Sequence, residues 1–175
     1  NKQRALFLDR DGVINIDHGY VFKKEQFVFI DGIFDLCRRA IDLRYLIFVI
    51  TNQAGIGRGY YSLQEFNDLT TWMCDRFLSN GSKIQKVYFC PDHPDYGIGE
   101  YKRQSDFRKP GPGMILQAAH DYNLDLTSSI LVGDKITDIQ AGLAAGVGRN
   151  FLYQPDEYQN NVPPGTIVLN DLLKV

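Results

Sequence analysis

An Asp-Arg-Asp-Gly run at residues 9–12 follows directly on a short apolar stretch, Ala5–Leu8. Side chains two apart in extended backbone share a side, so Asp9 and Asp11 can face one pocket while Arg10 points elsewhere; Gly12 then lets the chain turn. Polar residues also close two other apolar runs: Thr51-Asn52-Gln53 after Leu46–Ile50, and Gly133-Asp134, with Asp138 four residues on, after Ser129–Val132. Arg108-Lys109 stands in a long irregular segment. If these runs are neighbouring strands, several carboxylates, a hydroxyl, an amide and a cation meet on one rim. Carboxylates that share a cleft repel, and a hard cation with oxygen ligands relieves the repulsion; Mg²⁺ is usually held by one or two carboxylates, water and substrate phosphate. A magnesium site is therefore expected. With the metal and Lys109 neutralising phosphoryl oxygens, one carboxylate can attack phosphorus in line and form an aspartyl-phosphate that water cleaves. The second carboxylate is left to protonate the leaving alcohol, which needs a neutral acid; the charge of Asp9 and partial burial would favour that form of Asp11.

These residues must be positioned by alternating elements. Strands are predicted at Ala5–Leu8, Leu46–Ile50, Lys86–Cys90, Ser129–Val132, Arg149–Leu152 and Thr166–Leu169, all but the ends reading as buried. Ser62-Leu63-Gln64-Glu65 forms a capping box, and Phe66, Leu69, Met73 and Phe77 follow at helical spacing until Gly81. Further helices are predicted over Gly32–Leu43, over Met114–Tyr122 behind Pro112, and over Lys135–Ala145 before Gly146. Strand and helix thus alternate, which predicts an α/β fold: a three-layer, Rossmann-like parallel sheet with helices on both faces and no large cap domain. Ligands bind such sheets beyond the carboxyl ends of the strands, where the polar residues lie. Two stretches refuse the pattern, Gly12–Gln26 and Pro91–Gly113, and long loops in compact domains are often functional. Gln154–Gly165 reads as a surface connection.

The chain has 175 residues, a length that suits a single domain. At 44% apolar and 23% charged, its composition excludes collagenous, coiled-coil and disordered classes. A net charge of −2 gives no bulk attraction to nucleic acid or to an anionic membrane, so neither is expected as a partner. The apolar runs are strand-sized and too short to span a bilayer. Cys37, Cys74 and Cys90 are odd in number and far apart, which argues against a disulfide framework and for a reducing, cytoplasmic setting. A first residue other than Met leaves room for a processed upstream segment.

Taken in order, Leu8-Asp9-Arg10-Asp11-Gly12-Val13, Thr51-Asn52, Arg108-Lys109-Pro110 and Gly133-Asp134 with Asp138 resemble the four motifs of the haloacid dehalogenase superfamily of phosphatases. More narrowly, residues 8–15, Asp17-His18-Gly19-Tyr20, residues 51–61 and residues 108–114 resemble the D-glycero-D-manno-heptose 1,7-bisphosphate phosphatases and the related histidinol-phosphatase group. The resemblance runs from about Ala5 to Tyr153. It implies a magnesium-dependent phosphomonoester hydrolase that removes the 7-phosphate of the heptose bisphosphate, with a histidinol-phosphate phosphatase as the alternative. Asp9 would be nucleophile and metal ligand, Asp11 the acid/base that also lends its backbone carbonyl to the metal, and Asp134 the third protein ligand. Thr51 and Lys109 would hold the phosphoryl group, while Asp17, His18, Gly19, Tyr20, Asn52, Gln53, Ala54, Arg108 and Lys135 would surround a small phosphosugar. A monomer is expected.

The resemblance breaks at one place. Members of this group often carry a zinc-bound loop with Cys-Pro-His near its start and Cys-x-Cys near its end. Here the start is Cys90-Pro91-Asp92-His93 and the end Ser105-Asp106-Phe107. Tetrahedral structural zinc takes four ligands, mostly Cys or His, which this loop does not supply at the required spacing, so no structural zinc is expected. Residues 96–104 would then be ordered by apolar and hydrogen-bonded contacts, or be mobile.

Plainer roles compete for some residues. Asp138 can simply favour the positive end of its helix or can support the metal site. His18 has only the resemblance to promote it, and His93 and His120 read as surface residues. Cys37 and Cys74 read as packing groups. The run Ala54–Gly59 lacks the Lys-Ser/Thr of a P-loop and lies too far from the first strand for a dinucleotide fingerprint; it is expected to shape the substrate mouth. A phospho-receiver domain is the reading from another class, but it wants its acceptor aspartate after a later strand, where this chain has Thr51-Asn52 and Cys90-Pro91.

Overall fold

The structure is a computed structural model describing residues 1–156 and 161–175. Six strands form one parallel sheet: β1 (Arg4–Leu8), β2 (Tyr45–Asn52), β3 (Ile84–Cys90), β4 (Ile130–Gly133), β5 (Arg149–Tyr153) and β6 (Ile167–Leu169). Their order is β3-β2-β1-β4-β5-β6. The chain winds outward from β1 through β2 to β3, then returns to the other side of β1 for β4. The crevice at this reversal opens beyond the carboxyl ends of β1 and β4, the ends that carry Asp9 and Asp134.

Period-2 alternation divides the sheet into two cores. Leu6, Leu8, Ile47 and Val49 pack with α1 (Ile33–Asp42) and α3 (Leu63–Ser79). Phe7, Phe48 and Ile50 pack on the opposite side with α4 (Gly113–Tyr122) and α5 (Ile136–Ala145). Phe7 and Phe48 are register partners, and their rings stack with centroids 5.6 Å apart. In the capping box that opens α3, the Glu65 amide donates to Ser62 Oγ and the Ser62 amide to Glu65 Oε1, both at 3.0 Å. The third strand departs from the expectation: among the described residues β3 is an edge of the sheet, and it is only partly buried, with Lys86 exposed and Gln85, Val87 and Phe89 half-buried.

The two irregular stretches are built into the molecule. Val13, Ile14 and Val21 join the core beneath β1, and Asn15 bridges to Phe29. Beyond β2 lies an element the sequence did not suggest, the one-turn helix α2 (Ala54–Gly57), whose small residues let it sit close beneath the rim. The connection from Gln154 to Gly165 falls partly outside the described residues. No helix among the described residues is long and apolar enough to cross a membrane.

Candidate active site

Lys109 is the centre of the site. Its ammonium, 5% exposed, lies 2.9 Å from Asp9 Oδ1 and 2.5 Å from Asp138 Oδ1, and donates to the Ile50 carbonyl at 3.0 Å. Burial alone would lower its pKa, but the carboxylates of Asp138 and Asp9 outweigh burial and raise it, so the cation is kept. Asp9, Asp134 and Asp138 offer oxygens that all lie within 4.8 Å of one another. Burial, then the charge of Asp138, pushes Asp9 up to about 6 despite Lys109. Asp134 rises to about 9 through burial and then the charge of Asp9. One ammonium does not balance three acids, and without a metal the excess is relieved by a proton on Asp134 and, below about pH 6, on Asp9.

That deficit fits a hard divalent cation. Asp134 Oδ1 is buried and has no hydrogen-bond partner. Gly12, at φ +95°, leaves the space Asp134 occupies: a Cβ there would stand 2.0 Å from Asp134 Oδ2. Asp138 is committed elsewhere, since its Oδ2 accepts the Asp134 and Lys135 amides at 3.1 Å while Oδ1 holds Lys109. It occupies the first turn of α5 and supports the cluster at once, combining its two candidate roles. Gly12→Ala is expected to push Asp134 aside and force a left-handed alanine, weakening magnesium binding by about 10- to 100-fold, as loss of a supporting contact around a metal ligand does. Magnesium titration of the variant by calorimetry checks this.

Arg10 points away from the cleft, as expected, since it is not among the lining residues while Asp9 and Asp11 are; its guanidinium, 2% exposed, also reaches both oxygens of Asp11 from behind at 3.0 and 3.1 Å. It also donates to the Val21 carbonyl at 2.7 Å. Residues 9–15 leave the strand in a turn, where two-residue alternation no longer holds. Asn15 Nδ2 and Gln53 Nε2 add donors to Asp11 at 3.0 and 3.2 Å. The carboxyl group of Asp11 is thus held in a fixed cradle facing the cleft.

The cleft, about 450 Å³, is lined by Asp9, Asp11, Asp17, Gly19, Tyr20, Asn52, Gln53, Ala54, Arg108, Lys109 and Lys135, joined by Gly55, Tyr61, Thr137 and Asp138. His18 is exposed on the same loop and is not among the lining residues, nor is Thr51, which is buried and accepts from Gln53 Nε2 at 2.8 Å. Asn52 spends its amide on the backbone of Lys109, donating to its carbonyl at 3.2 Å and accepting its N–H at 3.0 Å. Gln53 is pinned as well, its Oε1 accepting the Tyr61 hydroxyl. These two amides therefore hold the Lys109 backbone and the Asp11 carboxyl group in place. Arg10, Asn15 and Tyr61 were missed by sequence reasoning; only the position of Arg10 between two candidate acids gave a signal.

One ion pair and several turn hydrogen bonds hold the loop after β3. Buried Asp92 pairs with Arg103 Nε at 2.9 Å, and His93 Nδ1 accepts the amides of Asp95 and Tyr96, both at 3.0 Å. The Ile98 amide donates to the Gly57 carbonyl at 2.8 Å, fastening the loop to α2. Elemental analysis of purified protein is expected to find substoichiometric zinc, and Arg103→Ala to speed hydrogen exchange across residues 92–104. Stoichiometric zinc on this loop would overturn the reading.

Comparison with known proteins follows the same lines. Residues 106–175 match the HAD-hydrolase-like family. The chain is 63% identical over 151 residues to the D-glycero-alpha-D-manno-heptose-1,7-bisphosphate 7-phosphatase of Burkholderia mallei, covering 86% of this chain and 80% of that protein. It is 48% identical over 148 residues to the D-glycero-beta-D-manno-heptose-1,7-bisphosphate 7-phosphatase of Vibrio cholerae, covering 85% and 80%. The crystal structure of D,D-heptose 1,7-bisphosphate phosphatase from B. bronchiseptica, complexed with magnesium and phosphate, superposes with a TM-score of 0.83 at 30% identity, over 97% of this chain and 93% of that one. A sheet reversed at Asp9 and Asp134, a buried lysine between acids and this degree of identity have one common account: the chain belongs to the heptose-1,7-bisphosphate 7-phosphatase family of haloacid dehalogenase-like hydrolases.

Proposed function

We propose that the protein hydrolyses the 7-phosphate of D-glycero-D-manno-heptose 1,7-bisphosphate through a phosphorylated Asp9. The observation that carries this reading is the cluster of Asp9, Asp134 and Asp138 beside one buried ammonium, which lacks the positive charge that a divalent ion would supply and that a bound phosphoryl group would need. Asp9 and Asp134, with the main-chain carbonyl of Asp11, would hold magnesium, which when bound neutralises phosphoryl oxygens and polarises phosphorus.

The chain's own residues do the rest. Asp9 Oδ1 accepts from Lys109 Nζ and from the Arg10 amide, each at 2.9 Å, so the attack is assigned to Oδ2. As the Oδ2–phosphorus bond forms, the bond from phosphorus to the leaving oxygen breaks, and Asp11 delivers a proton to that oxygen. Water then attacks phosphorus, Asp11 takes the water's proton, and inorganic phosphate leaves with the Asp9 carboxylate restored. Lys109 bears on the phosphoryl oxygens through both halves, and Thr51 supports the Gln53 amide that steadies Asp11. Asp17, Gly19, Tyr20, Ala54, Arg108 and Lys135 form the walls for the rest of the phosphosugar, with His18 at the outer edge.

The alpha anomer is the proposed preference, supported by the name of the 63%-identical relative. The test is a phosphate-release comparison of kcat/KM over both heptose bisphosphate anomers, histidinol phosphate and simpler sugar phosphates, with ³¹P NMR to identify the phosphate retained. The alpha bisphosphate should lead and its product keep the 1-phosphate. A lead for histidinol phosphate by orders of magnitude would end the sugar assignment.

A further inference from the structure

Arg58 lies outside the cleft lining, yet its surroundings are unusual for a half-buried arginine at the rim. Its guanidinium lies 4.9 Å from the Tyr60 ring centre, 4.7 Å from that of Tyr96 and 5.9 Å from that of Tyr20. Its Nη1 donates to the Tyr20 hydroxyl at 2.9 Å, and Tyr20 meets Tyr60 edge to face at 4.6 Å. The three rings are 46%, 49% and 60% exposed, so the group contributes little to the core. A planar cation among aromatic faces is a favourable arrangement that fixes ring positions.

The tyrosines come from three segments, those that follow β1, β2 and β3. Only Tyr20 lines the cleft, and its backbone is strained: φ is +51° at Tyr20, directly after +80° at Gly19. A bulky residue adopts the left-handed region only where its surroundings hold it there. From below, the ring rests on α2 where Gly55 has no side chain; a Cβ at Gly55 would lie 2.9 Å from Tyr20 Cδ1. From outside, Arg58 supplies the polar and cationic hold.

We propose that Arg58 is a positioning residue for substrate. By fastening Tyr20 it fixes the cleft wall beside the part of the phosphosugar that lies beyond the transferred phosphoryl group, and so favours long phosphate esters over short ones. This rests on the phosphosugar reading above. A small phosphoryl donor such as acetyl phosphate, an acyl phosphate, engages only Asp9, Asp11, Lys109 and the metal site, and does not reach that wall.

The experiment compares the alpha heptose bisphosphate with acetyl phosphate in the magnesium-loaded full chain. Arg58→Ala should raise KM for the bisphosphate about tenfold, the scale of one charge-assisted hydrogen bond, with kcat changed less than about twofold. Its kcat/KM for acetyl phosphate should stay within about twofold of the parent. Arg58→Lys should recover part of the KM loss, keeping a cation over the rings without the planar donor. Tyr20→Phe combined with Arg58→Ala should raise KM by less than the product of the single effects, as for two ends of one interaction. Equal losses on both substrates, no loss on either, or multiplicative effects in the double variant would each overturn the proposal. If the parent prefers another phosphosugar, the substrate assignment fails, and the same split read on that ester still decides the role of Arg58.

Discussion

Asp9→Asn should abolish turnover while strengthening the fold. Asparagine keeps the shape but cannot accept and return a phosphoryl group, so kcat is expected to fall by about 10⁴-fold or more. The substitution also takes one acid from a cluster in which a single ammonium faces three, and with it the repulsion that, after burial, raises Asp134. The magnesium-free variant should therefore melt above the magnesium-free parent. The pH dependence has a defined sign. Asp9 and Asp134 bind protons more tightly folded, at about 6 and about 9, than unfolded near the ordinary carboxylate value of 3.8. Between those limits the native chain holds more protons than the unfolded one, so parental stability without metal falls as pH rises through the window. Magnesium should accordingly raise the parent's melting temperature more at pH 8 than at pH 5, and Asp9→Asn should shrink that difference. Phosphate release, circular dichroism and thermal melts with and without magnesium decide the matter; residual turnover near the parental rate would refute covalent catalysis through Asp9.

Lys109→Ala is expected to cost both rate and stability. The ammonium reaches Asp9, Asp138 and the Ile50 carbonyl at once, and removing it leaves buried acids without a counter-ion. Breaking a buried pair in this way costs on the order of 3–5 kcal/mol, about 6–20 °C in melting temperature for a chain of this size. On the chemistry side, loss of a preorganised cation at the phosphoryl oxygens should lower kcat/KM by about 10²- to 10³-fold. Lys109→Met, which keeps most of the volume, separates the two causes: packing should be largely recovered and kcat/KM should not. Unchanged kcat/KM in either variant would place the ammonium outside the reaction.

Much of this arrangement was legible beforehand because strand-to-loop boundaries carry strong local signals. Asp9, Thr51 and Asp134 each follow an apolar run, and parallel alternation then brings their strand ends to one edge. The capping box of α3 was equally plain, since its two hydrogen bonds are local. The failures lie where geometry is not periodic. Alternation put Arg10 off the cleft, as it is, but its pairing with its own neighbour Asp11 is made in a turn that no periodic pattern describes. The pinning of Asn52 to Lys109 joins positions far apart in sequence, and no local pattern announces it. The edge position of β3 depends on strand order, which hydropathy alone does not give.

The contact between Lys109 and Asp9 joins residues one hundred apart, and the same ammonium needs Asp138 from α5. Loop closure of that span is an entropic expense met only near the end of assembly. Competence for catalysis should thus be the last property regained in refolding, appearing with the slowest phase, and a nascent chain should acquire it only after residue 138 has left the ribosome.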